Sequence, residues 1–108
     1  MGYEIHDLRP LYTNQKSFYG KAMVSVDTGA DTHYILHSYG TPVLAVEVAE
    51  NGNIYISRLW SSYSATTARH VREFAYQVCG YVLYKAEWDK MAVGYWYKLT
   101  DGGILDFV

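Results

Sequence analysis

Apolar and polar positions along this chain follow a period of two in its first half and a period between three and four after Ser64. From Lys21 to Asp27 they alternate, with Ala22, Val24 and Val26 on one side and Met23, Ser25 and Asp27 on the other. That is the pattern of a half-buried strand. Thr28-Gly29-Ala30-Asp31 reads as a turn, and Thr32 to Tyr39 as a second strand, rich in aromatic and β-branched residues. Gly40-Thr41-Pro42 breaks it. Val43 to Val48 is a third strand, with Leu44, Val46 and Val48 as its core face. In Glu50-Asn51-Gly52-Asn53, an Asn-Gly pair lies between two strand-like runs. This predicts a hairpin with a type I′ turn, which needs positive φ at both Asn51 and Gly52. Asn53 to Leu59 is the fourth strand.

Beyond Ser64, residues Ala65, Ala68, Val71, Phe74, Ala75, Val78 and Cys79 recur at three- and four-residue spacing and form one apolar stripe on a helix. Ser64 or Thr66 can cap its first turn, and Gly80 suits the position just past its end, where positive φ is needed. The stripe should lie across one face of the meander, with Val71, Phe74 and Val78 against Leu44, Val46 and residues such as Ile54 or Ile56. Lys85 to Met91 leaves room for a short second helix. Gly94 to Leu99 reads as a strand, Asp101-Gly102-Gly103 as a turn, and Ile104 to Val108 as a final strand. Upstream, Gly2 to Gln15 has weak periodicity, and Pro10 and Asn14 mark loop, so an irregular arm with a short strand or turn is expected. The fold class is therefore α+β: an antiparallel β-meander of about four to six strands with one principal α-helix packed on it.

At 108 residues the chain holds a single domain, residues 1–108. Half its residues are hydrophobic and 19% are charged, a globular composition. A net charge of -2 argues against a protein held on DNA by bulk electrostatics. The one cysteine, Cys79, leaves no intramolecular disulfide. No basic segment followed by an apolar run marks a signal peptide, and the longest apolar stretch, Pro42 to Val48, is too short to span a bilayer. The expectation is a host-cell cytoplasmic protein with no membrane partner. The outlier is tyrosine. Twelve Tyr in 108 residues are more phenolic hydroxyls than so small a core can satisfy, so some must face outward.

Catalytic and metal chemistry find little to stand on. His33 and His37 share a strand face, yet no Cys-x-x-Cys or His-Glu-x-x-His spacing exists. His70 is expected on the helix face opposite the apolar stripe. No Gly-x-Ser-x-Gly elbow or phosphate-cradling glycine loop is present, and Cys79 on the apolar stripe reads as a small core residue. No catalytic residue, metal or cofactor is therefore assigned. The polar face of the helix says more. Arg69, Arg72 and Tyr76 line one stripe, with His70, Glu73 and Gln77 beside it, and the aromatic, hydroxyl-rich Leu59-Trp60-Ser61-Ser62-Tyr63-Ser64 leads into the first turn. Trp60, Tyr63, Arg69, Arg72 and Tyr76 are the candidate partner-binding residues, because aromatics supply contact area and arginines grip carboxylate or phosphate bidentately. The competing reading is a solvated face with an Arg69–Glu73 pair and a core-directed Trp60. Tyr39, Tyr55, Tyr95 and Tyr97 on the sheet are the alternative surface.

The block from Arg58 to Phe74, with Leu-Trp, Tyr-Ser-Ala-Thr-Thr, Arg-His and Glu-Phe in order, resembles the central motif of a small domain family of unknown function. That family occurs in bacteriophages and mobile elements of Gram-positive bacteria. Lys16 to Ala22 and Lys85-Ala-Glu-Trp extend the resemblance over about Lys16 to Trp88. It carries over no catalytic residue. It implies a phage-type accessory protein, anti-CRISPR proteins being one such class, that binds a host protein or protein–nucleic-acid complex. The alternative function is a nucleic-acid-binding accessory with aromatics as stacking platforms.

Overall fold

The computed structural model describes residues 2–11, 18, 20–62 and 64–100, and the backbone of 103–107. Alternation does produce strands: β1 (Gly2–Asp7), β2 (Ala22–Thr28), β3 (Thr32–Ser38), β4 (Thr41–Val48), β5 (Ile54–Arg58), β6 (Trp96–Thr100) and β7 (Gly103–Phe107). They form one sheet in sequence order, each neighbour antiparallel. This is the expected antiparallel meander with one principal helix, and the N-terminal arm supplies its first edge. Helices α1 (Ala65–Cys79) and α2 (Lys85–Lys90) fill the connection between β5 and β6.

The two tight hairpins use glycine differently from expectation. Between β4 and β5, Gly52 N–H donates to Ala49 O and Ala49 N–H to Asn53 O. Gly52 alone takes positive φ, +91°. A three-residue loop needs only one such residue, so Asn51 keeps ordinary φ and its side chain accepts from Asn53 N–H at 2.9 Å. The two-residue turn lies between β3 and β4 instead. There Tyr39 and Gly40 both have positive φ, 53° and 81°, and Ser38 pairs with Thr41.

Helix α1 begins as read. Ser64 accepts from Thr67 N–H at 3.1 Å, and Gly80 takes φ 68° with its N–H donating to Tyr76 O. Val71 and Phe74 are fully buried with Leu44, Val46 and Ile56, and Val78 packs on that core partly buried. The buried face is wider than the apolar stripe. His70 and Glu73, expected on the polar face, are both buried. The arm after β1 explains this: Leu8 and Phe18 are core residues, and Gln77 donates to both Glu73 Oε2 and Arg9 O. The arm thus covers a flank of the helix that periodicity alone would leave in water. Glu73 turns inward rather than offering Arg69 a surface partner.

Segment 83–91 closes one end of the core with Leu83, Trp88 and Met91, all buried. Arg58 ties this end together. Its guanidinium donates to Trp60 O, Ser61 O, Trp88 O and Met91 O at 2.8–3.1 Å and stacks 4.7 Å from the Trp88 ring. Cation and carbonyls meet at the C-terminal end of α2, where the helix dipole also favours positive charge.

Candidate binding surface

Helix α1 runs from the β3–β4 turn towards the β4–β5 turn. Ser38 Oγ and His70 Nδ1 share a 2.8 Å hydrogen bond at one end, and Cys79 lines a cleft with Gly52, Asn53 and Ile54 at the other. The two ends differ in charge. Asp27, Asp31, Glu47 and Glu50 gather at the second: Asp27 and Glu47 flank His33 in register, and Glu50 N–H reaches Asp31 Oδ1. His33 Nδ1 lies 3.4 Å from Glu47 Oε1.

The first end carries Lys21, Arg69 and aromatic rings, with Asp7 near Gly20. Tyr39, 57% exposed, is held in the left-handed conformation by its turn, and its N–H donates to Lys21 O. Lys21 Nζ lies 5.8 Å from its ring centroid. The ring tilts over His70 at 5.9 Å, while Phe18 meets the same imidazole edge-on at 4.7 Å. Burial, then the Arg69 charge, then the Lys21 charge lower the His70 pKa from 6.5 to about 4. The ring is therefore neutral at pH 7, and Arg69 and Lys21 supply the positive charge around it. A non-glycine residue at positive φ is strained, and here the strain presents an exposed aromatic beside Lys21 and over the His70 imidazole. Lys21 carries no sequence signal of its own. Tyr39 could have been found from the Tyr39-Gly40 pair, which suits a type I′ turn less well than Asn-Gly does.

Arg69, Arg72 and Tyr76 do share a stripe on α1. Arg69 and Tyr76 are exposed and Arg72 is half-buried. Trp60, 43% exposed, is not core-directed. Its loop is held by Arg58 towards α2, so it stands on a different support from the helix stripe. Tyr63 lies outside the described residues. Of the sheet tyrosines, Tyr95 is exposed and Tyr55 half-buried. Tyr97 is buried, its hydroxyl accepting from Ala92 N–H at 2.8 Å, because the helix-facing register of β6 turns it into the core. It cannot serve as a surface residue.

His37 Nε2 lies 3.1 Å from Ser25 Oγ, on the sheet face opposite α1. Among the described residues no three of His, Cys, Asp and Glu are placed to hold a metal ion, and no helix is long and apolar enough to cross a membrane. Cys79 is half-buried, and burial pushes its thiol up to about 12, far from the thiolate that nucleophilic chemistry needs.

No curated protein and no solved structure matches this chain. A family model does, across residues 6–90: from the end of β1 through α2, including the cationic end, the Arg58 clamp and the whole of α1. The chain belongs to this family of unknown function, DUF8033.

Proposed function

We propose that this protein works by binding rather than catalysis. It is a phage-type accessory protein that docks its cationic, aromatic end on a host protein or protein–nucleic-acid complex in the cytoplasm and modulates or inhibits it, as anti-CRISPR and other anti-defence inhibitors do. The observation that carries this reading is the strained, exposed Tyr39 beside Lys21, set over the His70 ring on which the Lys21 and Arg69 charges act. Arg72 and Tyr76 extend that surface along α1, and the exposed Trp60 and, by sequence, Tyr63 are the further candidates that precede the helix. Such a surface suits an acidic patch: the rings bury area and the guanidinium groups make directional, charge-assisted hydrogen bonds.

Direct nucleic-acid binding is the less favoured reading. The sheet aromatics that would stack bases, Tyr55 and Trp96, share a cleft with Asp31 and Glu47, and that charge repels a phosphate backbone. The test is affinity capture from host lysate, with the captured partner then titrated against purified variants. Replacing Arg69 and Arg72 together by alanine should cost about 2 kcal/mol or more of binding. A folded double variant that keeps full affinity for the partner overturns the proposal.

A further inference from the structure

We infer that β1 is a self-association edge, through which two copies of this chain pair antiparallel and continue the sheet. Every residue of β1 is exposed, and no described residue pairs with its outer side. Edge strands are usually blunted by proline, lysine, a bulge or extreme shortness. β1 spans six residues, Gly-Tyr-Glu-Ile-His-Asp, in unbroken register with β2.

The direction of its backbone follows from that register. Leu8 N–H donates to Ala22 O, and Gly2 N–H reaches the Thr28 side chain. Even-numbered residues therefore turn their amides towards β2. Alternation turns the amides of Tyr3, Ile5 and Asp7 outward. A second copy can exchange hydrogen bonds with these only if odd residues face odd residues. Three central two-fold registers satisfy this. Glu4 opposite Glu4 sets like charges against each other. His6 opposite His6 puts Ile5 against Asp7. Ile5 opposite Ile5 instead places each Glu4 across from the other copy's His6, and each Tyr3 across from the other copy's Asp7. This third register alone sets acid against base, Glu4 across from His6, while keeping Ile5 against Ile5. Glu4 and His6 are already neighbours on one face of β1, 3.8 Å apart, and Tyr3 and Ile5 share the other face, both more than half exposed. The second copy is thus the occupant that this strand complements. A strand of about 20 Å buries far less than a standard interface of about 1,600 Å², so the pairing is weak and reversible.

The test is sedimentation equilibrium of the untagged protein across a wide concentration range. A monomer–dimer equilibrium is expected. Ile5→Pro removes an outward amide without touching the ladder to β2, and should weaken dimerisation by at least about tenfold. Glu4→Lys should weaken it similarly, and Glu4→Lys with His6→Glu should restore it, because an acid and a base again face each other with their positions exchanged. The charge variants read the interface even if the proline disturbs the arm. A protein that stays monomeric throughout, leaving the edge to a strand from some other protein, overturns the inference. So does a dimer indifferent to these substitutions.

Discussion

His70 ties the fold to the proposed surface. Its ring is buried between Phe18 and Tyr39, bonded to Ser38 Oγ, with Arg69 and Lys21 close by. Its folded pKa of about 4 lies below the ordinary 6.5, so the unfolded chain takes up this proton first as the pH falls. Above the ordinary value both states are neutral and the stability is fully present. Across the window between the two values it is lost at about 1.4 kcal/mol per pH unit, to a total of about 3 kcal/mol. Urea unfolding at pH 7 and pH 4.5 should show that loss in the parent and less of it in His70→Asn. Equal losses in both would remove His70 as the cause. Tyr39 gives a second prediction at this scale. Asparagine tolerates the left-handed region better than tyrosine, so Tyr39→Asn should hold stability within about 1 kcal/mol of the parent while weakening partner binding. A variant that unfolds would show that the ring is there for packing alone.

At the scale of elements, α1 and the Arg58 clamp carry most of the tertiary consequences. Phe74 is fully buried, so Phe74→Ala should cost about 3–5 kcal/mol in denaturant unfolding. A loss under about 1 kcal/mol would contradict its burial. Arg58 donates to four carbonyls from a planar fork that lysine cannot copy. Arg58→Lys should therefore cost about 2–3 kcal/mol despite conserving charge, and a neutral result would show the clamp to be ornamental. Elements were legible where a local rule decides them: α1 from its spacing, Ser64 and Gly80, and β2 to β5 from alternation. Less was legible where distant segments decide. His70 and Glu73 read as polar-face residues because nothing local reports that the 8–11 arm and Phe18 cover that flank. The reach of Arg58 to α2 is likewise a contact across thirty positions. The positive-φ pair fell at Tyr39-Gly40 because loop length, not the Asn-Gly signal, selects the turn type. Of the proposed surface, the helix stripe was visible in the spacing of Arg69, Arg72 and Tyr76. Lys21 was not, since only the fold brings it to Tyr39.

Across the whole molecule, a net charge of -2 conceals a partial segregation. Asp27, Asp31, Glu47 and Glu50 gather at the turns of one end, with Lys98 two strands from Glu47. The Lys21 and Arg69 charges act on His70 at the other, where Asp7 lies near Gly20. The net figure argues against bulk attraction to nucleic acid, but it does not forbid a local cationic contact with an acidic partner. Salt dependence separates the two. Each phosphate neutralised on a duplex adds about -0.9 to the slope of log K against log salt, and duplex binders commonly engage about 6–10 phosphates. Lys21, Arg69 and Arg72, the three cations of the proposed surface, set a ceiling near -3 on that scale. Binding of the captured partner should therefore weaken with salt along a slope no steeper than about -3. The Arg69 and Arg72 double alanine variant should flatten the slope as well as lower the affinity. A protein partner would retain measurable binding in high salt, because the contact area of Tyr39, Tyr76 and Trp60 is apolar and survives screening. A slope of about -6 or steeper would require phosphate contacts beyond these three residues and would turn the assignment towards the nucleic-acid reading.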